Sequence, residues 1–206
     1  MLISLEDLIK KYNIQFKGIM HVGAHECEEI HIYEKHLPRN KILWVDALYD
    51  KVELCKSRYN DLLIECAVVS DKNEIVNWNC SNNGQSSSIF NLGLHKIFHP
   101  DIYYVTSEQR EAIPLSNFIG NYDISYNFIN LDIQGAELKA LKGMESYLND
   151  VDYIYTEVNC DYVYEGCALI NEIDEYLLQF NLHRVETTWF GECKWGDAFY
   201  IRKISC

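Results

Sequence analysis

Residues 181–204 read NLHRVETTWFGECKWGDAFYIRKI, and this stretch decides the fold. NLHRVETTW (181–189) and DAFYIRKI (197–204) both read as strands, rich in β-branched and aromatic residues. The short GECKWG link between them has no room for a helix, so the two must form an antiparallel hairpin. Upstream, strands and helices alternate, which implies a parallel sheet with helices on both faces. A hairpin closing such a series gives a doubly wound, mostly parallel sheet of the Rossmann-like type, ending in an antiparallel pair.

The alternation can be followed back through the chain. Helix 168–179 precedes the hairpin, and VDYIYTEVN (151–159) precedes that helix as a strand. YNFINLDI (126–133) is a strand leading into a helix over 136–148. Nearer the N-terminus, GIMHVG (18–23), KILWVDA (41–47) and LLIECAVVS (62–70) are strands, with helices at 25–37 and 50–59 between them. EIVNWNC (74–80) reads as a further strand pairing beside LLIECAVVS. Residues 1–17 carry an amphipathic helix over 4–13, opened by a capping pattern of Ser4 and Asp7. The rhythm breaks only at 80–110, where CSNNGQSSS (80–88) opens a polar inserted segment. Inserts of this length inside a compact domain are usually functional, so a mobile lid is expected there. The whole chain, 1–206, is read as one domain.

Bulk properties narrow the function. Hydrophobic residues make up 48% and charged residues 24%, an ordinary globular balance. Eighteen basic against 31 acidic residues give a net charge of −13, which disfavours nucleic acid and anionic membrane surfaces as partners. The eight cysteines show no CxxC pair and mostly fall in apolar patterns, as buried thiols of a reducing cytoplasm would. MLISLEDLIKKYNI lacks the basic and apolar regions of a signal peptide, and no transmembrane stretch follows. A soluble cytoplasmic protein is expected. The oligomeric state stays open, with a homodimer as one option.

Ligands of doubly wound sheets sit beyond the carboxyl ends of the strands, at the switch point. GIMHVGAHEC leaves the first strand there, and Gly23 permits a tight turn and close approach of a ligand to the backbone. The helix expected next would aim its first amides at the same crevice. The dinucleotide pattern G-x-G-x-x-G is missing, because positions 25 and 28 hold His25 and Glu28. Glu26, Glu28 and Glu29 would repel a pyrophosphate but suit the sulfonium and ammonium of S-adenosylmethionine; alternatively they are ordinary helix-start acids. Asp46 ends the second strand, where a carboxylate can accept hydrogen bonds from ribose hydroxyls. The cofactor-side candidates are therefore His21, Gly23, Ala24, His25, Glu28, Asp46, Ala47, Ser70 near the adenine, and Asp132.

HVGAHECEE (21–29), WVDAL (44–48), INLDIQGAELKALKGM (129–144) and YIYTEVN (153–159), in that order and spacing, resemble the FkbM-family methyltransferases. LDIQGAELKALKGM (131–144) is the most specific piece, matching a D-x-x-G-A-E strand end followed by a helix with L-K-G. WGDAFYIR (195–202) resembles the family's closing strand. Cys27 departs from the usual glycine and Asp46 from the commoner glutamate. The resemblance implies the class I methyltransferase fold with its seven-stranded sheet, S-adenosylmethionine as cofactor, and O-methylation of sugars or other small metabolites, as in glycan modification.

For such a reaction the candidate bases are Asp132 at a strand's carboxyl end, then His95 and His99 in the insert. Glu137, Glu157 and Asp197 are candidates for the acceptor pocket. No third ligand accompanies His95 and His99, so no metal is expected. The competing readings are a nucleotide-cofactor oxidoreductase and an inactive binding module on the same fold.

Overall fold

The computed structural model describes residues 2–203. Cys206 and the last residue of the expected closing strand lie outside them. The chain runs through α1 (Leu5–Tyr12), β1 (Ile19–Val22), α2 (Ile30–Tyr33), β2 (Ile42–Asp46) and α3 (Tyr49–Arg58). Then come β3 (Leu63–Cys66), β4 (Val68–Val69), β5 (Glu74–Ser81), α4 (His95–Phe98), β6 (Tyr104–Ile113) and β7 (Phe128–Leu131). α5 (Glu137–Lys142), β8 (Tyr153–Asn159), α6 (Ile170–Leu178), β9 (Leu182–Trp189) and β10 (Trp195–Arg202) complete it.

Seven strands form one sheet in the order β3-β2-β1-β7-β8-β10-β9, with β10 antiparallel to both neighbours. The chain winds outward from β1 to β3, then returns across β1 to β7. That reversal opens a crevice at the carboxyl ends of β1 and β7. β1 and β2 are buried at every position, as parallel strands covered on both faces must be. Their residues alternate between two apolar layers: Met20, Val22, Leu43 and Val45 pack with Ile129 and Leu141, while Ile19, Ile42 and Trp44 pack with Phe128 and Phe199.

The structure departs from expectation in four places. No helix follows Gly23 directly, because His25 and Cys27 both have left-handed backbone angles (φ +42° and +57°). Helical geometry begins only at Ile30, although Cys27, Ile30 and Leu37 mimic a helical period. LLIECAVVS is not one strand. It leaves the large sheet after Cys66, and Val68–Val69 pairs instead with β6. EIVNWNC likewise pairs with β6, not beside β3, so β4, β6 and β5 make a separate three-stranded sheet. Finally, the helix after β7 stops at Lys142, and a 3-10 turn over Glu145–Asp150 continues it.

The insert is therefore a second sheet and a hydrogen-bonded loop. Ser86, Ser87 and Ser88 are buried. Ser88 exchanges two backbone hydrogen bonds with Asn79, and its Oγ donates to the Gln134 carbonyl at 2.7 Å. These contacts pack Ser88 against Asn79 and the turn after β7. The cysteines also differ from expectation: of seven described, all free thiols, only Cys27, Cys55 and Cys167 are buried. No helix among the described residues is long and apolar enough to cross a membrane.

Candidate active site

A cavity of about 580 Å³ opens at the carboxyl ends of β1, β2 and β7, roofed by residues 83–87 of the insert. This volume lies in the range of small-molecule sites. Its first wall is the turn after β1. Gly23 has φ +87°, and a Cβ there would lie 1.9 Å from the Asp132 carbonyl oxygen. The glycine is thus required by the neighbouring β7 backbone. The turn's amides are spent within the fold: Gly23 and Ala24 donate to the Val45 carbonyl, and His25 donates to Asp46 Oδ2 at 2.6 Å. These three amides are therefore not free to face a ligand.

Asp46 is 7% exposed and lines the cavity. Its Oδ1 accepts from the Leu48 amide at 2.7 Å. Burial pushes its pKa up, and the two backbone hydrogen bonds oppose this. Each oxygen has a lone pair left for a ligand. His21 is stacked on Trp44 at 4.7 Å, and its Nδ1 lies 3.2 Å from the Tyr33 hydroxyl. Burial holds its pKa below the ordinary histidine value, so the ring is neutral. His25, Glu28, Glu29 and Ala47 also line the cavity. Glu26 does not: Lys51 and Arg58 each approach it at 2.6 Å, and their hydrogen bonds bring its pKa down to about 2.

The opposite wall brings Asp132 and Glu157 together through Gln134. The Gln134 amide nitrogen donates to Asp132 Oδ1 at 2.6 Å and to Glu157 Oε2 at 3.1 Å. Its Oε1 accepts from the Tyr164 hydroxyl at 2.6 Å. Burial raises both carboxyl pKa values, and for Glu157 the neighbouring Asp132 adds to the rise. His95 and His99 complete this end, with ring centroids 4.9 Å apart. Burial, then the neighbouring His99, lowers the His95 pKa to about 4. Gln134 and Tyr164 escaped the sequence reading. Gln134 stood in the LDIQGAE run as a spacer, and nothing marked Tyr164.

Four candidates are placed elsewhere. Ala24 is buried in the core beneath the turn. Ser70 is buried beside Asp71, Glu74 and the Lys139 ammonium, because the chain has already turned into the second sheet. Asp197 Oδ2 accepts from the Tyr155 hydroxyl at 2.5 Å and the Ile3 amide at 3.1 Å, and so anchors the N-terminal segment. Glu137 Oε1 accepts from the Ile133 and Gly135 amides, both at 3.1 Å, tying the strand-to-helix turn. None of the four lines the cavity. Among the described residues, no three His, Cys, Asp or Glu side chains are arranged to hold a metal.

The model of the FkbM methyltransferase domain matches residues 21–184, most of the chain. The chain belongs to the FkbM methyltransferase family. No curated protein matches this sequence. Solved structures share the fold. An S-adenosylmethionine-dependent methyltransferase from Clostridium acetobutylicum ATCC 824 aligns with TM-score 0.53 and 7% identity, covering 96% of this chain and 89% of that one. Magnesium protoporphyrin IX methyltransferase from Synechocystis PCC 6803, solved with bound SAM, aligns with TM-score 0.52 and 8% identity, covering 95% and 74%. The seven-stranded sheet with its antiparallel end is the class I methyltransferase architecture.

In this FkbM-family protein Glu137 has a consequence for stability. Burial pushes its pKa up to about 7. A carboxyl group whose folded pKa exceeds its unfolded value binds more protons when folded, so stability is full below about pH 4.5 and falls as pH rises towards 7. Glu137→Gln keeps an Oε1 acceptor for both amides but cannot titrate. Urea unfolding at pH 5 and pH 7.5 should show the wild type losing more stability than the variant. Equal losses would show that the carboxyl is already ionised at the lower pH.

Proposed function

We propose that this protein transfers a methyl group from S-adenosylmethionine to a hydroxyl of a sugar or other small metabolite. The observation that carries the reading is one cavity with Asp46 and the β1 turn at one end and the Asp132–Gln134–Glu157 cluster at the other. S-adenosylmethionine supplies an electrophilic methyl on a sulfonium, so the protein must position the acceptor and take its proton.

The residues present fit that cofactor. Glu28, Glu29 and Asp46 suit its cationic groups and ribose hydroxyls, and Ala67, Val68 and Val69 give an apolar wall for a base. Among the described residues, a pyrophosphate would find no lining Lys or Arg. That disfavours the oxidoreductase reading. Asp132 Oδ2 is the proton acceptor, because Oδ1 is held by Gln134. Its raised pKa makes it a stronger base than an exposed aspartate, whereas His95, lowered to about 4, is a weak one.

Asp46→Ala is expected to weaken S-adenosylmethionine binding by about 1.5–3 kcal/mol, the range for hydrogen bonds to a charged group. Calorimetry reads this directly, with a melting curve to show that the turn survives the loss of its two amide contacts. Unchanged affinity would take Asp46 out of the site.

A further inference from the structure

Gln134 occupies a backbone position that few side chains adopt. Its φ is +56°, in the left-handed region that glycine fills at little cost, and Gly135 follows at φ +98°. A residue other than glycine held there points to a use for its side chain. Two neighbours fix it. The Ser88 hydroxyl donates to the Gln134 carbonyl at 2.7 Å, and Ser88 is itself tied to Asn79 of β5 by two backbone hydrogen bonds. A Cβ on Gly135 would lie 2.9 Å from the Cys167 Cβ and 3.2 Å from the Tyr164 Cβ. The bare glycine is what lets Tyr164 come up beside Gln134.

The Gln134 side chain has one orientation that satisfies all its partners. Its amide oxygen can only accept, and the Tyr164 hydroxyl donates to it at 2.6 Å. The amide nitrogen then sends one hydrogen to Asp132 Oδ1 and the other to Glu157 Oε2. Turning the amide over would set its oxygen against two carboxyl oxygens, a contact that needs both carboxyls protonated. The stronger acceptor of a carboxyl group is its unprotonated oxygen, so a proton on Asp132 or Glu157 is directed to Oδ2 or Oε1. Among the described residues, no other group donates to either carboxyl. The remaining neighbours oppose ionisation or are neutral. Asp197 from β10, Glu29 beside α2 and Glu137 from α5 favour the protonated forms, while burial keeps Tyr164 and Cys167 neutral.

We infer that Gln134, locked by Tyr164, is a positioning residue for methyl transfer. It ties Asp132 and Glu157 into one hydrogen-bonded unit and leaves Asp132 Oδ2 as the oxygen that takes the acceptor's proton. The inference rests on the methyl-transfer reading, in which Asp132 is the base. A hydrogen bond donated to a carboxylate is stronger than one donated to a carboxylic acid, so the amide favours the ionised forms. Its loss must raise both proton affinities.

The test is a ¹³C NMR titration of protein labelled at the aspartate and glutamate carboxyl carbons. Asp132→Asn and Glu157→Gln assign the two signals. In Gln134→Met both should titrate about one pH unit higher than in the wild type, with Asp46 at the far end of the cavity unmoved. Tyr164→Phe removes only the lock and should move the same signals in the same direction, by less. Near-ultraviolet circular dichroism shows whether the methionine variant keeps its fold, and the phenylalanine variant decides if it does not. Labelled methyl transfer from S-adenosylmethionine to a mixture of the methyl glycosides of glucose, mannose and rhamnose gives the kinetic readout. Gln134→Met should lower kcat about tenfold or more, move its acid limb to higher pH and leave the KM for S-adenosylmethionine little changed. In an Asp132→Asn background the same substitution should cost nothing further. Unmoved carboxyl signals overturn the inference, as does a shift shared by Asp46 or an equal kinetic loss in both backgrounds. Absence of transfer to every glycoside counts against the sugar acceptor alone, and the titration then decides the role of Gln134.

Discussion

Asp132→Asn is expected to lower turnover by about 10²–10⁴-fold, the usual worth of general-base assistance. S-adenosylmethionine affinity should change far less, because the carboxylate that faces the cofactor's ribose in this account is Asp46. The amide side chain keeps the shape of the carboxylate and can still meet the Gln134 amide, but it cannot take a proton. The pH profile carries a second signature. Burial raises the Asp132 pKa, so the base is ionised only at pH above the ordinary aspartate range. The rising limb of kcat with pH should therefore sit above that range and disappear in the variant. Turnover surviving within a few-fold would make Asp132 a turn former. Glu157 or the histidine pair would then be the next groups to test.

Gly23→Ala should be the most damaging single methyl group in the protein. The added Cβ would sit 1.9 Å from the Asp132 carbonyl oxygen and 2.7 Å from its carbon, at a backbone angle of φ +87° that side chains rarely adopt. Both β1 and β7 are held by ladder hydrogen bonds, including the Asp132 amide to the Val22 carbonyl at 3.0 Å, so neither can yield cheaply. Left-handed strain and overpacking together should cost about 3 kcal/mol or more. In a chain of this size that lowers Tm by roughly 6–12 °C. A thermal melt of the ligand-free protein distinguishes two reasons for this glycine. If it serves only the approach of a ligand, stability is unchanged and affinity alone suffers.

The fold was legible where burial is two-sided or the turn chemistry is strong. GIMHVG, KILWVDA and FINL are apolar on both faces because they are covered on both faces, and the WFGECKW link leaves no alternative to a hairpin. β6 was not legible. Its run YVTSEQREAI is polar on both faces and largely exposed, so no alternation betrays it. Its absence from the sequence reading also misplaced β4 and β5, which depend on it for pairing. The expected helix after Gly23 failed for a different reason. The apolar spacing of Cys27, Ile30 and Leu37 is the same whether residues 25–29 are helical or held as turns by His25 and Cys27.

Site residues show a sharper limit. Sequence position put Asp46, Asp132, Glu137, Glu157 and Asp197 at or near strand ends, but it does not reveal what their oxygens are already bonded to. Glu137 Oε1 is held by backbone amides and Asp197 Oδ2 by a tyrosine hydroxyl and the Ile3 amide, and neither residue lines the cavity, whereas Asp132 does. Gln134 was overlooked because an amide between two acids is recognisable as a bridge only once the strands β7 and β8 are side by side.

The most direct measurement is a calorimetric titration of the wild-type protein with S-adenosylhomocysteine, and separately with NAD. A cavity lined by five acidic side chains and, among the described residues, no Lys or Arg should bind S-adenosylhomocysteine at one site and leave NAD unbound. Tight NAD binding, or no heat with S-adenosylhomocysteine, would contradict the account.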